Sequence, residues 1–228
     1  MTSEISPATS TTIPSTSTRE RLILAAAVAA LVGAAVAIVL NAIVMFAPAA
    51  GKPGLVAYPQ AVDDYRSGQI VFAATQLLMG IGLFAMIRCR RAPLSGMGRV
   101  GGWLAIVGWA ITVPGEIIIG VVADQSVDSD AATVATTVYG VGVLLADIGL
   151  ILFGIAVIRS RSWWLSWRPL PLILGVVQLV VVTPVLVVIG FIGVPAFAVL
   201  VVQDVLVALI GVALLRNALS LTQSGELG

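Results

Sequence analysis

The stretch VLLADIGLILFGIAVIR, residues 143–159, is apolar throughout except for Asp147 and a closing arginine. Extended back to Ala132 it is long enough to cross a membrane, since a hydrocarbon core of ~30 Å takes about 20 apolar residues at 1.5 Å rise per residue. The whole chain has the same character. Its 228 residues are 59% hydrophobic and only 10% charged, which lies outside the range of soluble globular proteins. Besides 132–158, apolar runs at about 22–46, 69–87, 100–122, 170–191 and 194–215 are long enough to span. These runs predict an all-α, polytopic membrane protein with six transmembrane helices. The first run is much longer than the apolar core of a signal peptide and reads as an uncleaved anchor. GFIGVP, residues 190–195, is too short for a loop and predicts a tight turn between the fifth and sixth helices.

The charges give a topology. With a cytoplasmic N-terminus, the inside segments hold Arg19, Arg21, Arg88, Arg90, Arg91, Arg99, Arg159, Arg161, Arg168 and Arg216, and the outside segments hold only Lys52 and Arg66. Cytoplasmic loops collect Lys and Arg, so both termini are expected in the cytoplasm of a bacterial inner membrane. The acidic run ADQSVDSDA, with Asp124, Asp128 and Asp130, then faces out. Residues 1–18 are rich in Ser, Thr and Pro and hold too little apolar surface to order, so they read as a disordered cytoplasmic tail. The transmembrane domain covers 19–217, and 218–228 forms a second cytoplasmic tail. Trp163, Trp164 and Trp167, beside Arg161 and Arg168, read as interface anchors of an aromatic belt.

A weak repeat runs through the even-numbered helices. DIGLILFGIAVIR (147–159) aligns with DVLVALIGVALLR (204–216), matching Asp147 to Asp204, Gly154 to Gly211, Ala156 to Ala213 and Arg159 to Arg216. QLLMGIGLFAMIR (76–88) fits the same frame with Gln76 at the acidic position. The repeat predicts three helical hairpins in series, at about 22–91, 99–161 and 168–216. Twelve residues of helix place Gln76, Asp147 and Asp204 about 18 Å above the arginines, near the bilayer midplane. Glu116, at about 24 Å, lies closer to the outer interface. Gly140, Asp147 and Gly154 recur every seven residues and predict a small-residue seam. Pro114 and Pro184 are tolerated breaks in the third and fifth spans.

Composition removes several chemistries. Without histidine there is no His-based triad, haem ligation or HExxH zinc site, and a single Cys89 supports neither an internal disulfide nor a thiolate cluster. A net charge of +1 gives no footprint for nucleic acid. No catalytic residue, metal or cofactor is expected, and the chain does not read as an enzyme. A charge at midplane depth costs roughly 3 kcal/mol on insertion scales, so the acids should face the bundle interior. Two readings follow. In the first, the polar layer is glue between helices, and the protein is a non-enzymatic scaffold or subunit of a membrane assembly. In the second, Asp147 and Asp204 form an acidic pair, with Gln76 and Glu116 as further candidates, that binds a proton, cation or small solute for transport. Expected partners are the lipid bilayer and either further copies of the chain or another membrane protein.

The stretches GIAVIRSRSWWLSWRPLPLILGVV (154–177) and CRRAPLSGMGRVGGWLAIVGWAITVPGE (89–116) carry a resemblance. Over about residues 68–190 the chain resembles a broad group of six-helix bacterial integral membrane proteins without an established activity. The resemblance implies the six-helix fold and no particular function.

Overall fold

In a computed structural model, which describes residues 16–89, 95–161, 163, 165–191 and 193–225, the chain is helical apart from its links. The helices are α1 (Thr16–Phe46), α2 (Val62–Arg88), α3 (Gly96–Val121), α4 (Asp130–Ser160), α5 (Leu170–Val177), α6 (Thr183–Ile189) and α7 (Val194–Gly225). A π turn, Gln178–Val182, joins α5 to α6, so Leu170–Ile189 is one continuous fifth span. Six helices are thus long and apolar enough to cross a membrane.

Local chemistry fixes the ends. The Ser129 side chain accepts the N–H of Ala132 at the start of α4, and Ser95 accepts that of Gly98 at the start of α3, which supplies partners for otherwise orphaned first-turn donors. Asp63 and Asp64 open α2 and Arg88 closes it; Asp130 opens α4 and Arg159 closes it. Both pairs complement the helix dipole. Gly190 and Gly193 take φ of 85° and 98°, the left-handed region open to glycine, and reverse the chain within the predicted turn.

Helices of 26 to 32 residues run roughly 39–48 Å at 1.5 Å per residue, longer than a ~30 Å hydrocarbon core. Two boundaries differ from expectation for this reason. α1 begins at Thr16, inside the segment read as a tail, and α7 continues to Gly225, well past 217. The remainder of the expected tails, 1–15 and 226–228, lies outside the described residues. Helix propensity continues where the apolar run stops, because a helix leaving the bilayer keeps its own backbone hydrogen bonds.

The first two hairpins form as predicted, α1 with α2 and α3 with α4. Of these, α3–α4 is the most intimate interface in the bundle. Its seam is Gly101, Ala105 and Gly108 against Gly142, Ala146 and Gly149. A Cβ on Gly149 would collide with the Ala105 backbone, and one on Gly108 with that of Ala146. The expected seam holds at two of its three positions, against α5: Gly154 packs closely on Leu172 and the Asp147 carbonyl abuts Gly175, whereas Gly140 faces open space. The third hairpin is splayed. α7 packs chiefly along α1 and touches α5 and α6 only lightly, while Val187 and Val188 of α6 are 78% and 82% exposed. Pro184 cannot donate a backbone hydrogen bond, and the π turn just before it relaxes the helix at that point. Pro114 lies inside a continuous α3.

The link 47–61 is ordered by backbone pairing with 123–127. Val56 N donates to Gln125 O, Ala57 N to Ala123 O, and Val127 N to Gly54 O, each at 3.0 Å. Arg66 pairs with Asp124 at 3.2 Å and Asp63 at 3.8 Å. These contacts close one end of the bundle with a small cap.

Candidate functional site: a polar layer inside the bundle

Five spans bring polar side chains to one place. Gln76 of α2, Trp109 and Thr112 of α3, Tyr139 of α4, Gln178 of the π turn and Gln203 of α7 line a chamber of about 10 Å³. A space of that size holds on the order of one water molecule. The Trp109 indole N–H donates to the Gln76 carbonyl oxygen at 2.7 Å, tying α2 to α3. The Thr112 hydroxyl donates to the Trp109 carbonyl at 2.8 Å.

The two aspartates lie beside this chamber at different helix contacts. Asp204 is 2% exposed, and its Oδ2 accepts the Asn41 Nδ2–H at 3.1 Å, which links α7 to α1. Asp147 is 1% exposed; its backbone carbonyl abuts Gly175 of α5, and its Oδ2 has no hydrogen-bond partner among the described residues. Gln178 Oε1 is likewise buried and unpartnered. Gln76 lines the chamber, but neither Asp147 nor Asp204 does. Glu116 is buried on α3 and hydrogen-bonded to Tyr139, which lines the chamber, while Glu116 itself does not. The ion pairs among the described residues involve Arg66, which is at the cap, so no Lys or Arg neutralises these acids.

The tryptophans divide. The Trp163 indole is 1% exposed and donates its N–H to the Cys89 carbonyl at 3.1 Å, pinning the α4–α5 link to the end of α2. Trp167 is half-buried with the Arg216 guanidinium 5.7 Å from its ring; Trp164 lies outside the described residues. Burial raises the Cys89 thiol above its usual range, with Arg19 pulling the other way.

Asn41, Tyr139, Gln178 and Gln203 were not among the candidates named from sequence. Asn41 had a legible signal, because it is the polar residue of an otherwise apolar first span. Gln178 and Gln203 also stand in apolar runs, but nothing in the primary structure says which helices they face.

Fold and polar layer together define a polytopic helical membrane protein with its acids inside the bundle. The chain matches no known protein family, no curated protein and no solved structure.

Proposed function

We propose that the protein is a non-enzymatic scaffold or subunit of a membrane assembly, oriented with both termini in the cytoplasm of a bacterial cell membrane. The observation that carries this reading is the separation of the aspartates. Asp204 is spent on an interhelical hydrogen bond to Asn41, Asp147 sits against a different helix, and the chamber between the spans is too small for a solute. A side-chain hydrogen bond such as Asn41–Asp204 holds its two helices in register. The exposed apolar face of α6 gives a partner helix a surface to pack on. The arginine-rich ends of α2, α4 and α7 support the orientation.

Reconstitution into proteoliposomes tests the reading. The native chain should carry no proton or monovalent cation flux above protein-free vesicles, and it should co-purify from its native membrane with a stoichiometric partner or as an oligomer. A flux abolished by Asp147→Asn would overturn it.

One observation favours a second reading, a proton or single small cation held in the layer. Asp147 Oδ2 and Gln178 Oε1 are both acceptors, and a buried acceptor without a partner costs about 1–3 kcal/mol. A proton or cation would remove that cost. Ion-dependent thermal stabilisation of the native chain, absent in Asp147→Asn, is its signature.

A further inference from the structure

At the end of the bundle opposite the cap, the helix termini collect cations: the described residues there include eight arginines and one acid, Glu20. Two of these arginines bracket Trp103 on the lipid-facing side of α2 and α3. The Arg88 guanidinium, at the last residue of α2, lies 5.0 Å from the Phe84 ring centroid and 5.9 Å from that of Trp103. Cation–π attraction thus holds it against two rings whose residues are 42% and 57% exposed. Arg99, also exposed, stands four residues before Trp103 and so on the same side of α3. Neither guanidinium has a carboxylate partner among the described residues, where the ion pairs belong to Arg66. At 27 and 26 residues, α2 and α3 outrun a ~30 Å hydrocarbon core, so arginines in their end turns stand at headgroup depth.

We propose that Arg88, Arg99 and Trp103 form a binding site for the headgroup of one anionic phospholipid. The two guanidiniums take the phosphate, and the exposed rings of Phe84 and Trp103 lie against the start of the acyl chains. The position and the charge select this occupant. The surface faces the bilayer, so a lipid covers it. Both guanidiniums offer N–H donors that no carboxylate satisfies, and phosphate is the acceptor that lipid brings to that depth. α3 begins there with no acid in its first turn, so a negative charge also complements the positive end of its dipole. A zwitterionic lipid would carry an ammonium into an end already crowded with guanidiniums, whereas a lipid of net negative charge would not.

The test is native mass spectrometry of the full chain released from nanodiscs containing equal phosphatidylglycerol, phosphatidylethanolamine and phosphatidylcholine with identical acyl chains. One phosphatidylglycerol should be retained in preference to either competitor, by about fivefold for each guanidinium that holds it. Arg88→Gln and Arg99→Gln, at exposed positions that leave the core intact, should each lower that preference about fivefold. Arg216→Gln removes the same charge from the same end, but on α7, where the guanidinium sits 5.7 Å from the Trp167 ring; it should leave the preference unchanged. Equal retention of the three lipids, a preferred zwitterionic lipid, or an equal loss in Arg216→Gln overturns the proposal.

Discussion

The Asn41–Asp204 hydrogen bond joins residues 163 positions apart and can be measured by a double-mutant cycle with Asn41→Leu, Asp204→Leu and the double variant. The single changes are unequal. Asn41→Leu strands a carboxyl group that is 2% exposed, at a cost of about 2–3 kcal/mol, near the top of the range for a buried group left unpaired. Asp204→Leu strands only a half-buried amide and should cost about 1 kcal/mol. The double variant replaces both partners by apolar groups, so it should be less damaging than the sum. Interhelical hydrogen bonds in membranes average ~0.6 and reach ~1.7 kcal/mol; at 3.1 Å and with a carboxylate acceptor the coupling should fall at about 1–1.7 kcal/mol. Reversible unfolding in mixed micelles, followed by tryptophan fluorescence, reads all four free energies. Additivity within ~0.3 kcal/mol would refute the claim that Asp204 acts as interhelical glue.

Asp147 should behave differently. Because its Oδ2 lacks a partner, Asp147→Leu is expected to leave the melting temperature unchanged or to raise it; a loss of several degrees would show that the carboxyl group has a bonding role. Gly149→Val drives a side chain into the Ala105 backbone, and the α3–α4 seam should lose about 1–3 kcal/mol in the same unfolding assay. Cys89 is buried under the Trp163 contact with its thiol raised above the usual range, so little thiolate exists at neutral pH. Maleimide labelling of the native chain should therefore be slow at pH 7 and accelerate only above the ordinary thiol range. Trp163→Ala should restore rapid labelling. Fast native labelling at pH 7 would contradict the burial.

The six spans were legible because lipid imposes length and apolarity on every one, and the Gly190–Gly193 turn because two glycines must reverse the chain in a few residues. The hairpins were only partly legible. Segments adjacent in sequence need not be the best-packed neighbours, and nothing in the residues of α7 announces that α1 is its main partner. The α3–α4 seam was visible in principle as small residues at 101, 105, 108, 142 and 149; the heptad of Gly140, Asp147 and Gly154 marked instead the side of α4 that meets α5. Trp163 shows a different limit. A tryptophan among arginines reads as a belt residue, and only the position of Cys89 reveals it as a packing residue. The cap at 47–61 was illegible because backbone-to-backbone pairing leaves no mark on side-chain identity.

The pairing of α7 with α1 gives the order of synthesis a meaning. α1 enters the bilayer well before α7, and until α7 is inserted Asn41 faces lipid or a transient companion without its Asp204 partner. A nascent chain stopped before Val194 thus displays the same unfinished edge at every earlier stage of its making, whereas the α3–α4 seam can already have closed. Protease protection of stalled chains of increasing length should therefore be complete around α3 and α4 before it is complete at α1, whose α2-facing side is covered early and whose α7-facing side only once α7 has inserted.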